Sequence, residues 1–270
     1  RTKYLTKEPL SGYVNRLFPV KFALRVLASL TVGKFYDYEE MVFEESGAID
    51  LHDLREKSYS VSKYAKEWLK FLDFKIEAGS TTDVRVGLPE DSEKAKERFV
   101  AQYIGSKKKN SVTGALFEMG FVSLETSGGY LAGSVEQVSS NVLFTQLGWD
   151  FMMLENPLID SDEGWNEYFQ TGLRFSDKEI KFLLAHIKRN ISSEWKFFTD
   201  IASSIKSGEN RPKSLESRLV EIYQWDKTKA SQMRNGALSR MEELDLISRH
   251  KEGRSVTYSL TERGEEILAD

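Results

Sequence analysis

Residues 226–268 read DKTKASQMRNGALSRMEELDLISRHKEGRSVTYSLTERGEEIL, and this stretch decides how the rest of the chain is understood. Thr228–Leu244 has helical spacing, with Ala230, Met233, Ala237, Met241 and Leu244 inside one apolar arc. At Asp245 the period changes. Leu246–Arg249 and Ser255–Leu260 are short strand-like runs, Val256 and Tyr258 alternating, joined by Lys251-Glu252-Gly253, where glycine supplies a positive φ. Thr261 then stands as the N-cap of a last helix, with Glu262, Glu265 and Glu266 near its positive end.

Helix, tight hairpin and capped helix form the ending of a winged helix-turn-helix. Arg240-Met241-Glu242-Glu243-Leu244-Asp245-Leu246-Ile247, followed by Arg254-Ser255-Val256-Thr257-Tyr258-Ser259-Leu260-Thr261-Glu262-Arg263-Gly264, resembles the recognition helix, wing and Leu-Thr-x-x-Gly exit of MarR-type winged-helix DNA-binding regulators. The resemblance implies a helix that enters the major groove and, at Arg254, a wing arginine that enters the minor groove.

The same order recurs upstream. A helix ending Leu72-Asp73-Phe74 precedes a hairpin at 74–88 and Leu88-Pro89-Glu90-Asp91. A helix from about Asn110 ends at Met119-Gly120-Phe121-Val122, and a hairpin region over Leu124–Leu143 leads to Phe144-Thr145-Gln146-Leu147-Gly148. Three copies in one order point to tandem modules. The expected class is mainly α with small β-hairpin wings (α+β), as three tandem winged-helix modules. Residues 1–18 form an N-terminal arm packing on the first domain or on a partner. Modules occupy 19–91, 92–160 and 191–270, with a linker and connecting helix over 161–190. Pro19 suits the first turn of a helix running to Val32, and Ser176-Asp177-Lys178-Glu179 is a capping box.

Composition narrows the chemistry. The chain has 270 residues, 40% hydrophobic and 12% aromatic, enough for ordinary packed cores, and a formal net charge of −4. No global basic field draws it to nucleic acid, so any such contact comes from local patches. With no cysteine there is no disulfide, thiolate metal site or cysteine nucleophile, which agrees with a cytoplasmic setting. No apolar run approaches the roughly 18 residues of a membrane span, and no signal-peptide pattern opens the chain. His52, His186 and His250 lie in no metal-ligand spacing, and Gly128-Gly129 with Gly133 lacks the strand-to-helix context of a dinucleotide loop. Asp160, Asp162 and Glu163 read as a solvated loop in the linker-like stretch Asn156–Gly164. No catalytic, metal or cofactor site is expected.

What remains is a set of faces suited to DNA. A helical-wheel projection of 228–244 turns Thr228, Ser231, Gln232, Asn235 and Ser239 outward, flanked by Lys229 and Arg240, with Arg234 near the apolar arc. The wing adds Arg249, Lys251 and Arg254, and Lys227–Arg254 holds seven Lys/Arg against four Asp/Glu. In the second module Lys107, Lys108 and Lys109 precede the expected helix. Cations there oppose the helix dipole, which suggests a phosphate partner, although such a run also suits a solvated loop. In the first module Ser62 and Lys63 lead the candidates, with Lys57, Ser58, Tyr59 and Lys66 beside them and Thr81, Thr82 and Arg85 in the wing.

The leading expectation is a double-stranded DNA-binding protein of tandem winged helices, a nucleoid-associated transcriptional regulator. Two others come from different classes. One is a non-catalytic interaction subunit of a chromosome-maintenance or DNA-defence assembly. The other is the DNA-recognition region of a longer nuclease, which Arg1 in place of an initiator methionine leaves open. A homodimer or protein partner through 1–18 or 165–206 is suggested by Trp165, Tyr168, Phe169 and Phe175.

Overall fold

The computed structural model describes residues 8–32, 49–50, 93–108, 111–127, 139–160 and 172–268. The fold is mainly helical with small antiparallel sheets, an α+β arrangement. Two compact units emerge, one over 18–153 and the other from 6–17 with 154–270. The helix and hairpin expected over 60–88, with Ser62 and Lys63, lie outside the described residues. So do Lys109 and the aromatic residues Trp165, Tyr168 and Phe169.

In the first unit α1 (Phe18–Val32) begins with Pro19 in its first turn, where the missing N–H leaves no bond unmade. Phe18, Phe22, Ala23, Leu24 and Leu27 of α1 are buried. Two cations on this helix are buried as well. Lys21 Nζ donates to Phe151 O and lies 4.7 Å from the centroid of the Phe151 ring, and Arg25 Nε donates to Met152 O at 2.7 Å. Both acceptors belong to the last turn of α4 (Gln146–Met153), where helix carbonyls lack intrahelical partners and favour positive charge.

β1 (Ile49–Asp50) pairs with β5 (Ser139–Phe144), and β5 with β4 (Val122–Ser127), giving the antiparallel order β1-β5-β4. Ile49–Asp50 is thus an edge strand set against Val142 and Asn141. α2 (Glu93–Phe99) runs into a π turn (Val100–Ile104).

The helix expected from about Asn110 is corrected here. Ser106–Lys108 and Ser111–Thr113 form a small antiparallel hairpin, β2 and β3, and only Ala115–Glu118 (α3) is helical. Val112 and Thr113 are β-branched and favour the extended chain. Gly114, at φ 129°, separates strand from helix in a conformation closed to other residues.

In the second unit α5 (Pro157–Asp160) is one turn whose N-terminus is capped by Asn156, its Oδ1 accepting from Leu158 N at 3.0 Å and Ile159 N at 3.1 Å. Asn156 is fully buried, so the stretch read as a linker starts as packed structure. α6 (Asp177–Asn190) opens with the expected capping box. Ser176 Oγ accepts from Glu179 N at 3.3 Å and Glu179 Oε2 accepts from Ser176 N at 2.9 Å. The buried Glu179 carboxylate also accepts from Asn156 Nδ2 at 2.9 Å. α7 (Ser192–Lys206) follows, burying Phe197, Phe198, Ile201 and Ala202.

Then come α8 (Pro212–Tyr223), α9 (Lys227–Glu243), β6 (Ile247–Glu252), β7 (Ser255–Leu260) and α10 (Glu262–Ile267). Gln224 takes φ 54°, turning the chain sharply between α8 and α9. Asp226 Oδ1 accepts from Lys229 N at 2.9 Å and starts α9. Tyr258 N donates to Asn210 O at 2.9 Å, which lays the chain two residues before α8 along the hairpin edge.

The two exits match bond for bond. Thr145 Oγ1 accepts from Gly148 N at 3.0 Å and donates to Gly120 O at 2.8 Å. Thr261 Oγ1 accepts from Gly264 N at 3.0 Å and donates to Asp245 O. Thr145 N reaches Phe121 O at 3.0 Å and Thr261 N reaches Leu246 O at 3.1 Å. Gly120 (φ 68°) and Asp245 (φ 57°) occupy the same left-handed position after their helices.

Candidate nucleic-acid interface

α9 has one face in the core, two flanks engaged by other parts of the unit, and one stripe left outward. Ala230, Met233, Ala237, Met241 and Leu244 are buried, as their spacing predicts. On one flank Arg234 is only 7% exposed. It donates to Pro212 O at 2.7 Å and Glu216 Oε2 at 2.8 Å, tying α9 to the start of α8. The same guanidinium donates to Ser231 Oγ at 3.2 Å and Asn235 Oδ1 at 2.8 Å, so it also orients two outward side chains. This positioning role was not read from the sequence. Its only signal was an arginine at the margin of the apolar arc.

The other flank is covered by residues 8–17, which belong to this unit rather than to the first domain. Arg240 is the principal correction. Expected beside the DNA face, it is fully buried, as is its partner Glu194. Its Nε and Nη2 each lie 2.7 Å from Glu194 Oε1, and Nη1 donates to Ser11 O at 3.3 Å and to Val14 O. A guanidinium fixed in this way has no donors left to offer a duplex.

Lys229 is also drawn to that flank. Its ammonium lies 5.1 Å from the Trp225 ring centroid and 3.6 Å from Glu8 Oε2. Gln232 is half-buried, with its carbonyl against Gly12. Thr228 and Asn235 are exposed, and Ser231 and Ser239 half-buried, which together leave a polar outward stripe.

After α9 comes the hairpin. Arg249 and Lys251 sit two residues apart on β6, and so on one face, while Arg254 stands in the two-residue turn after Gly253, whose φ is 59°. All three side chains are exposed. Arg249 is paired in register with Tyr258. Burial pushes the Tyr258 phenol above its ordinary pKa, while Arg249, which it hydrogen-bonds, pulls the other way. Glu242 and Arg234 of α9 act on it too, from opposite signs. On the opposite face His250 Nε2 lies 2.8 Å from Ser259 Oγ.

Lys107 and Lys108 lie in β2, opposite Val112 and Ser111, and not before a helix. The correction has a simple cause: lysines tolerate strand edges, and the pairing with β3 uses their backbone rather than their charge. His186 is buried and 2.9 Å from Asn190, a packed residue as expected.

Among the described residues no group of His, Asp and Glu is arranged to hold a metal ion, and no helix is long and apolar enough to cross a membrane. No protein-family model matches the chain, and neither a curated protein nor a solved structure matches it.

Proposed function

We propose that α7–α10 form a winged helix-turn-helix that binds double-stranded DNA, in a tandem-module transcriptional regulator acting at the nucleoid. The observation that carries this reading is the polar stripe of α9, Thr228, Ser231, Asn235 and Ser239, followed in the chain by a hairpin whose cations Arg249, Lys251 and Arg254 are exposed. An α-helix fits the major groove, where hydroxyl and amide groups meet base edges. A cationic hairpin meets phosphates or the minor groove, and releases counterions when it does so. The helix, edge residue, helix, helix and hairpin order of 192–260, with Asn210 bonded to Tyr258, supports the winged-helix assignment. The matched Thr145–Gly148 and Thr261–Gly264 exits support a tandem origin for the second and third modules.

A mobility shift against random and genomic duplexes tests the reading. Lys251→Ala with Arg254→Ala weakens binding and lowers the slope of log affinity against log salt by about 2. Unchanged binding by the double variant removes the wing assignment. No binding at low salt, with a protein partner co-purifying, decides for an interaction subunit instead.

A further inference from the structure

Glu8–Leu17 is held in the second unit largely through its main chain. Leu10 N donates to Glu194 Oε2 at 2.8 Å, Leu17 N donates to Glu243, and Ser193 Oγ donates to Glu8 O at 2.9 Å. The Arg240 guanidinium donates to the carbonyls of Leu10, Ser11 and Val14. Leu10, Val14 and Leu17 are buried, while Tyr13 is 63% exposed. Gly12 crosses Gly236 at main-chain contact. A Cβ on Gly12 would stand 2.5 Å from Gln232 O, and one on Gly236 would stand 2.7 Å from Gly12 O. Main-chain hydrogen bonds together with pockets for spaced side chains are how proteins hold peptide ligands, and here the peptide turns at Ser11–Val14, Val14 N donating to Ser11 O at 2.9 Å. The pattern held here is Leu-x-Gly-x-Val-x-x-Leu.

We propose that Ser193, Glu194, Gly236, Arg240 and Glu243 form a peptide-binding socket. Its ligand is the chain's own segment 8–17, and its occupancy sets the pose of α9 and hence affinity for DNA. The second clause rests on the DNA-binding reading above. The physical link is Arg240. Its N–H groups point at segment carbonyls, and withdrawing the segment removes those acceptors and opens the buried Arg240–Glu194 pair to water. α9 carries that arginine on the same helix as Asn235 and Ser239, so it relaxes when the segment leaves.

The test uses the full chain with Gly12→Val, which expels the segment and leaves every socket residue in place. The probe is a labelled peptide of residues 8–17, EPLSGYVNRL, followed by fluorescence anisotropy. The peptide binds the variant at least about tenfold more tightly than it binds the wild-type chain, whose tethered segment competes. A Gly12→Val peptide binds neither chain, and a Tyr13→Ala peptide binds like the parent. DNA affinity of the variant falls about tenfold and saturating peptide restores it. A variant with wild-type circular dichroism that takes up no peptide overturns the socket. Peptide binding with wild-type DNA affinity throughout overturns the coupling to α9. Peptide binding in a chain with no DNA affinity in any form upholds the socket and removes the DNA reading instead. Should the variant not fold, hydrogen exchange of the wild-type chain decides. Leu10 and Leu17 amides exchanging as slowly as Leu244 uphold the socket, and exchange at the unprotected rate overturns it.

Discussion

Arg240 and Glu194, 46 residues apart, meet at 2.7 Å with neither side chain exposed. The pair joins α7 to α9, and both partners also hold the main chain of residues 10–14. Burying two charges is tolerated because their remaining hydrogen-bonding capacity is met by backbone groups. Glu194→Gln keeps the shape and leaves the guanidinium without its counter-charge. It lowers stability by about 3–5 kcal/mol in urea unfolding. Replacing both partners by Leu and Met costs less than the two single changes added together. Strict additivity in the double-mutant cycle would contradict the pairing.

Gly148 and Gly264 face the same obstacle. A Cβ would stand 1.9 Å from Phe121 O in the first case and 2.0 Å from Leu246 O in the second. Alanine at either position forces backbone apart and destabilises by about 1–3 kcal/mol. Gly253→Ala in the wing meets nothing within 4 Å and carries only the left-handed φ penalty of about 1–2 kcal/mol. Thermal unfolding of the three variants checks them; no loss at 264 would disprove the close packing of the exit.

Asn235 is exposed on the stripe and has its Oδ1 engaged by Arg234, which leaves the amide N–H groups to face outward. Asn235→Ala weakens binding to a preferred duplex by about 1–3 kcal/mol and leaves binding to random sequence nearly unchanged. Equal loss on both duplexes, read by competition mobility shift, would assign the residue to the phosphates.

Tyr223 gives a pH dependence of known sign. Burial, and then its 2.6 Å hydrogen bond to Asp200, push its phenol well above the ordinary value of 10.0. An acid whose folded-state pKa is raised contributes stability that is complete below the unfolded value and is lost as pH rises past it. The urea midpoint therefore falls as pH climbs above about 10, and Tyr223→Phe flattens part of that fall. An unchanged alkaline slope in the variant would assign the fall to other groups.

What could be read from the sequence was what depends on neighbours within one turn or one hairpin. The apolar arc of α9, the Ser176–Glu179 capping box, the Gly253 turn and the Thr261 cap are all local patterns with local causes. Arg240 was misread because a helical wheel fixes direction and not company. Nothing near 240 in the chain announces Glu194 or the carbonyls of 10–14. Lys107 and Lys108 were misread because the apolar stretch after them was taken as one helix from about Asn110, whereas Val112 and Ser111 pair back on them. The arm over 8–17 carried its clue in Gly12, but a glycine says that something comes close without saying what.

The bonds from Arg240 and Glu243 to Leu10, Val14 and Leu17 span 226 to 230 residues. During synthesis the segment leaves the ribosome long before its docking place exists. At ordinary elongation rates the delay is roughly 10–45 s. Its three buried aliphatic side chains have no docking place through that interval, and bringing them to it closes a long loop at an entropy cost. Translation speed and chaperone contact thus bear on how much of this protein matures correctly, through ten residues made well ahead of their partners.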